Sequence, residues 1–326
     1  MNPNNLKETI HESRPNLKPN TIKMYEILLN KLKVLFDTDD FKFLKNSKKV
    51  EEKLKEKLHY TSQRNYYNAI IILLNALDYD KDLIKEYQNM RDELNKKYED
   101  DNASGKISDK QKANFVKIEE IHKMIKKMED ELRGKGYKKK TLSPKDKTLL
   151  QVYTIFNIHI ILPMRNDLSG AVAIMKKQYN TLSSDEKKEN NYLVVEKTNM
   201  WFVLNKFKTQ KKYEELRFDV PKPLEKLLRM YLRVNGMGVL FTSSTGKPYS
   251  RNALTQLLTK YSQKYMGKSI STTMLRKIVL SDKFIDLKKE QEDMAKITGH
   301  SVETMNKVYV KEGQGNDTKS KSDDKE

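Results

Sequence analysis

The sequence predicts a mainly α protein with one small antiparallel β-sheet, built as two successive units. Three observations carry this. Apolar residues recur at helical spacing along most of the 326 residues. Runs rich in β-branched and aromatic residues are confined to 191–220, and a wholly polar stretch at 96–115 interrupts the helical pattern near the end of the first third. A chain of this length can bury two separate cores.

Residues 19–36, "PNTIKMYEILLNKLKVLF", place apolar side chains at helical spacing behind an Asn-Thr start and predict an amphipathic helix. Similar patterns at 50–59, 62–78 and 80–97 make residues 1–98 a helical domain. The stretch "KKYEDDNASGKISDKQKANF" has no apolar face, so 99–112 is expected to be a linker. Helices are predicted again at 114–133 and 145–162. Three strands follow in "NYLVVEK" (191–197), "MWFVLNKF" (200–207) and "YEELRFDV" (213–220), and short polar connectors make them an antiparallel sheet. Further helices are expected at 222–235, 250–265 and 271–288, with a separate one ending in "EDMAKITGH" at 292–300. A second domain thus covers 113–312, and the tail 313–326, without apolar residues, is expected to be disordered.

Composition narrows the function. The chain carries 64 Lys and Arg against 45 Asp and Glu, a net charge of +19, which points to a polyanionic partner, nucleic acid ahead of a membrane surface. It has no cysteine, so disulfides, zinc ribbons and thiol catalysis are excluded, and an intracellular setting fits. Five scattered histidines without a metal-binding spacing argue against a metal site, and no cofactor is expected. The start "MNPNNLKETIHES" lacks the apolar core of a signal peptide, and the apolar run "IHIILPM" is too short to span a bilayer. A soluble protein acting wherever its target DNA lies is the expectation, whether prokaryotic cytoplasm or the nucleus or virus factory of a eukaryotic host.

Cutting a phosphodiester without a metal requires a side-chain nucleophile and cationic donors around the phosphate. Arginine suits the second role because its planar fork matches two phosphate oxygens. Two arginines stand apart from the polar runs that hold most of the basic residues. Arg165 follows the apolar run "IFNIHIILPM", and Arg276 lies within "STTMLRKIVLSDKF". Charged groups on such stretches need an acid or an anionic ligand. Asp167 is a candidate acid for Arg165.

Near the end, "ITGHSVETMNKVYVK" sets a Gly299-His300 pair nine residues ahead of Tyr309. In order and spacing, Arg165, a lysine on a β-hairpin, Arg276, Gly299-His300 and Tyr309 resemble the catalytic set of the tyrosine recombinase (phage integrase) family. The motif resemblance covers about 113–312. Residues 1–98 resemble only the architecture of the family's helical, SAM-like core-binding domain, which clamps DNA. The resemblance implies Tyr309 as nucleophile, Arg165 and Arg276 as phosphate clamps, His300 as a further phosphate donor, and a lysine as general acid. Lys208-Thr209 fits the lysine motif best. Lys206 is next, because strand alternation would put it on the same face as Lys208, and Lys211 and Lys212 also lie in this segment. Two positions depart from the family pattern. Thr273 stands where the family usually has His or Lys; a hydroxyl can bond a phosphate oxygen but does not titrate near neutral pH. Leu168 stands where the family commonly has an acid, with Asp167 one place earlier as the expected orienting group.

The resemblance further implies a 3′-phosphotyrosyl intermediate that conserves bond energy, so no ATP is needed, and a homotetramer on two double-stranded DNA sites. Lys206, Lys211, Arg251, Asn252 and Gln256 are expected to contact DNA, the last three from the helix at 250–265, with reach to base edges. Two rival expectations are a type IB-like topoisomerase and a DNA-binding protein of the same fold with impaired catalysis.

Overall fold

The computed structural model describes residues 5–105, 107–137 and 142–311; the side chains of Lys110 and Lys211 and the expected tail at 313–326 lie outside the described residues. The chain divides into two compact units, Met1–Ile107 and Ser108–Glu326.

The first unit is all helical: α1 (Leu6–Ser13), α2 (Pro19–Leu35), α3 (Ser47–Lys57), α4 (Tyr60–Ala76) and α5 (Lys81–Ala103). Pro19 opens α2 with its φ already suited to a helix, while the Asn5 and Asp80 side chains accept the free amides that begin α1 and α5. Ile22, Leu29 and Leu32 of α2 meet Tyr67, Ile70 and Leu74 of α4 in one apolar core. Tyr87 closes it, its hydroxyl donating to the Leu44 carbonyl at 2.8 Å. Helix α5 runs through the first five positions of the expected linker. Those residues, "EDDNA", carry no helix breaker before Ser104-Gly105, where Gly105 takes a positive φ of 64°.

In the second unit come α6 (Asp109–Lys112), α7 (Ile118–Gly134), α8 (Pro144–Ile161), β1 (Val172–Met175), α9 (Lys176–Thr181), α10 (Ser184–Lys188), β2 (Tyr192–Val195), β3 (Met200–Leu204), α11 (Gln210–Tyr213), β4 (Leu216–Asp219), α12 (Lys222–Asn235), β5 (Gly238–Val239), α13 (Arg251–Met266), α14 (Thr272–Thr298) and α15 (Val302–Thr304), followed by one π-helical turn at Met305–Tyr309. The three expected strands form β2, β3 and β4 and pair antiparallel, with Leu193 opposite Phe202 and Phe202 opposite Phe218. The sheet is larger than expected and mixed, in the order β4-β3-β2-β1-β5. Strand β1 joins parallel to β2 through the α9–α10 crossover, the kind of connection parallel strands require.

Alternation along the strands divides the sheet between two cores. Leu193, Val195, Met200 and Phe202 face the main core of α7, α8, α12, α13 and the start of α14. Tyr192, Val194, Trp201 and Val203 face the other side, against Tyr179 and Leu182. The wholly buried β2 and β3 are therefore apolar or aromatic at every position.

The two helices expected at 271–288 and 292–300 are one. Helix α14 continues unbroken for 27 residues. The joining segment "DLKKEQE" holds no Gly or Pro, and Lys289–Asp286 and Lys288–Glu292 ion pairs run along it at 3.7 and 3.6 Å. Gly299, at φ +68°, ends the helix in the left-handed conformation that other residues rarely adopt. Among the described residues no helix is long and apolar enough to cross a membrane.

Candidate active site

Three chain segments converge on one open cavity of about 480 Å³. The turn after α8 brings Arg165 and Asn166, the first turn of α13 brings Arg251, Asn252 and Thr255, and the first turns of α14 bring Thr272, Thr273 and Arg276. The N-termini of two helices and three guanidinium groups thus line a single space. Ser250 and Ser271 cap those helices, accepting from the amides of Ala253 and Met274, while the earlier amides remain available. A cavity so built favours an anion with several acceptor oxygens, as a phosphate has.

Arg276 lies half-buried, and its Nε has no hydrogen-bond partner among the described residues. Burial, then the like charge of Arg165, holds its pKa below the ordinary arginine range, with Asp167 pulling the other way. Behind it His159 of α8 is buried, and neither ring nitrogen has a well-formed hydrogen bond among the described residues. Burial, reinforced by the Arg276 charge and only partly opposed by the nearby Leu162 backbone, pushes His159 down to about 4, so its ring is neutral at pH 7.

Asp167 is only 4% exposed. Burial raises its carboxyl pKa, while Arg251, Arg165 and Arg276 draw it back down. Its bonded partner is Arg251, whose Nη2 donates to Oδ1 at 2.6 Å. Arg251, expected from the sequence to reach base edges, is therefore tied to Asp167 and to the Lys206 carbonyl, and Asp167 orients Arg251 by direct contact rather than Arg165. Asn166 holds the same turn, donating from Nδ2 to the Arg251 carbonyl and to Thr255 Oγ1.

The lysine segment leans on the arginines. Arg165 Nη1 donates to Thr209 Oγ1 at 3.2 Å, which ties the residue after Lys208 to an arginine of the cavity wall. Strand alternation does not govern this segment, because β3 ends at Leu204 and the next two amides bond to a side chain instead of a neighbouring strand. Lys206 pairs with Glu189 at 3.2 Å, and the Lys212 ammonium lies over the Tyr213 ring. Lys208 is exposed and has no acid within ion-pair distance among the described residues. The Lys211 side chain is outside the described residues. Asn252 and Gln256 are exposed on α13.

Asn191 carries no local sign of its role in the sequence. It is buried at the start of β2, and its amide makes four hydrogen bonds. Nδ2 donates to the carbonyls of Asp167 and Lys206, and Oδ1 accepts from the amides of Asn205 and Lys206. One side chain thereby fastens the arginine turn to the lysine segment. Asn191→Ala leaves these buried backbone groups unpaired and is expected to cost roughly 2–4 kcal/mol, read from denaturant midpoints. Asn191→Asp is expected to destabilise as well, since a carboxylate cannot donate to the two carbonyls.

His300 and Tyr309 are together but apart from the cavity. Their rings stack with centroids 4.8 Å apart, and Tyr309 is 59% exposed. Both lie beyond the far end of α14. The 22 residues from Arg276 to Thr298 span about 33 Å at the helical rise. The local chain is nevertheless well defined: Gly299 ends α14, and Ser301 caps α15 by accepting from the Thr304 amide. The candidate set is therefore split into an arginine-lysine cavity at one end of a helix and a His-Tyr pair at the other.

No protein-family model and no curated protein sequence matches the chain. Among solved structures it is similar to the "Crystal structure of XerA recombinase", at 13% identity and a TM-score of 0.35, covering 94% of this chain and 93% of that one.

Proposed function

We propose that the protein is a site-specific tyrosine recombinase that breaks and rejoins DNA strands through a 3′-phosphotyrosyl intermediate, with no metal and no ATP. The observation that carries this reading is the cavity lined by Arg165, Arg251 and Arg276 and two helix N-termini, with Thr209, the residue after Lys208, bonded to Arg165. Arg165 and Arg276 hold the non-bridging oxygens of the scissile phosphate, and Thr273 donates to one of them. The Tyr309 hydroxyl oxygen bonds to phosphorus as the P–O5′ bond breaks. The phenol gives up its proton, assisted by His300, and Lys208 donates one to the departing 5′ oxygen. Charge grows on the phosphate oxygens in that step, and the guanidinium field is already in place to meet it. Attack by the 5′ hydroxyl of another strand then reverses the chemistry and joins new partners, integrating or recombining DNA of a mobile element or virus.

In this reading residues 1–98 clamp double-stranded DNA, 113–312 carry the chemistry, and four copies assemble on two sites. The net charge of +19 supports affinity for phosphates that falls steeply with added salt.

A DNA duplex nicked beside the cleavage site tests the reading, because loss of the short fragment traps the covalent adduct. Wild type is expected to accumulate the adduct and Tyr309→Phe to form none. Undiminished adduct from Tyr309→Phe contradicts the assignment of the nucleophile. The separation of Tyr309 from the arginines favours one second reading, a DNA-binding protein without strand cleavage. Wild type that binds the nicked duplex and yields no adduct selects it. Relaxation of supercoiled plasmid to completion, without a specific site, selects instead a type IB-like topoisomerase.

A further inference from the structure

Of the three guanidinium groups in the cavity wall, Arg251 is the one to which the proposed chemistry gives no task, and it is held differently from the others. Among the described residues it alone of the three is in an ion pair. Its Nη2 donates to Asp167 Oδ1 at 2.6 Å and to the Lys206 carbonyl at 3.2 Å, which uses both Nη2 protons. Nε and Nη1, with three N–H groups between them, have no bonded partner among the described residues. The backbone is fixed as well: Arg251 opens α13 behind the Ser250 cap, and its carbonyl accepts from Asn166 Nδ2 and Thr255 Oγ1.

An arginine present only to neutralise a buried acid is expected to be buried with it. Here Asp167 is buried, whereas the Arg251 side chain is 55% exposed. The shape of the guanidinium accounts for the division. One amino group meets the carboxylate, and the other donors remain for the cavity, whose lining holds no acid among the described residues. Arg251 also brings its own counter-charge. Arg165 and Arg276 repel each other, which contributes to the lowered Arg276 pKa, and a third unpaired guanidinium would add to that repulsion. Paired with Asp167, Arg251 adds donors to the wall with less of it, and its position is set before any ligand arrives.

We infer that Arg251 is a third ligand of the phosphate that the cavity holds: Asp167 and the Lys206 carbonyl fix its Nη2, and its free Nη1 donates to a non-bridging oxygen alongside Arg165 and Arg276. On the proposed chemistry, on which the inference rests, that phosphate is the scissile one and Arg251 is a catalytic residue rather than a reader of base edges.

Arg251→Lys separates these roles, because an ammonium can keep the Asp167 ion pair but has no second amino group to offer a phosphate. Full-length wild type and Arg251→Lys are compared in denaturant midpoint, in affinity for the nicked duplex and in single-turnover adduct formation at saturating protein. The inference predicts a midpoint near that of wild type, affinity within about threefold, and adduct formation slower by about tenfold or more. A wild-type rate overturns it and leaves Arg251 as the partner of Asp167 alone. Weakened affinity with an unchanged rate at saturation overturns it in favour of a base contact. Should Arg251→Lys fail to fold by circular dichroism, Arg251→Met combined with Asp167→Asn takes its place, since that combination leaves no unpaired charge in the wall.

A wild type that forms no adduct contradicts the recombinase reading, and inorganic phosphate then decides the inference by itself. Phosphate is expected to raise the thermal midpoint of wild type, and equally that of Arg91→Met, which removes an arginine of the first unit paired with Asp92. In Arg251→Lys the rise is expected to be less than half as large. A rise of more than half the wild-type value in Arg251→Lys, or none in wild type, overturns the inference.

Discussion

Arg276→Met is expected to lower the rate of strand cleavage by about 10²–10³-fold while leaving the protein as stable as wild type, or up to about 1 kcal/mol more stable. The two effects come from one geometry. Arg276 is half-buried beside Arg165, and its Nε is unpaired among the described residues. Methionine fills much of the same space and removes both the unpaired donor and the repulsion between like charges. In the transition state the balance reverses, because the added charge on the phosphate oxygens is what the guanidinium complements. A structural arginine would give the opposite pair of results, with stability lost and cleavage of the folded fraction unchanged. Parallel measurement of adduct rate and denaturant midpoint separates the two.

His159→Leu is expected to flatten the acid limb of the stability profile. In the folded chain the ring stays neutral down to about pH 4, whereas an unfolded histidine titrates near 6.5. Between those values the unfolded chain takes up a proton that the folded chain does not. The stabilisation is therefore complete above pH 6.5 and is lost as pH falls through the window, by about 3 kcal/mol in all. Leucine has no such proton to take, and it removes two nitrogens that lack a well-formed hydrogen bond from an apolar helix face. At pH 7 the variant should match or exceed wild-type stability, and its midpoint should change much less between pH 7 and 4.5. An unchanged acid limb would place the sensitivity elsewhere.

Much of the fold was legible because its elements follow simple periods. Helix α12 appears in the sequence at its observed bounds, and α2, α7 and α8 nearly so, since apolar spacing marks all four and a proline lies in the first turn of α2, α8 and α12. The buried β2 and β3 stood out as β-branched and aromatic runs. Strand β1 did not, because its four residues follow Gly170 and pair in parallel with a strand reached only through two short helices. Helix α14 was divided in two because its apolar pattern lapses at "KKEQED", whereas propensity and ion pairs carry a helix through without any apolar face.

The site was legible in its residue types and less so in its contacts. Arg165, Arg276 and the Lys208-Thr209 segment could be singled out; the two arginines line one cavity, and Thr209 bonds to Arg165. The tie between Arg251 and Asp167 joins residues 84 apart and leaves no local pattern. Asn191 is still less visible, since its importance lies in four backbone partners that any asparagine could have. Spacing also gave no warning that Tyr309 lies a helix length from Arg276. Sequence distance fixes the length of a segment but not whether it folds back.

The central claim is that this protein joins itself to DNA through Tyr309. Mass spectrometry of trypsin-digested adduct on nicked DNA tests it most directly, because cleavage after Lys307 and Lys311 isolates Val308, Tyr309, Val310 and Lys311 as one short peptide. The expected result is a 3′-phosphonucleotide attached to that peptide at Tyr309. A nucleotide on any other residue, or bound DNA with no covalent product, would contradict it.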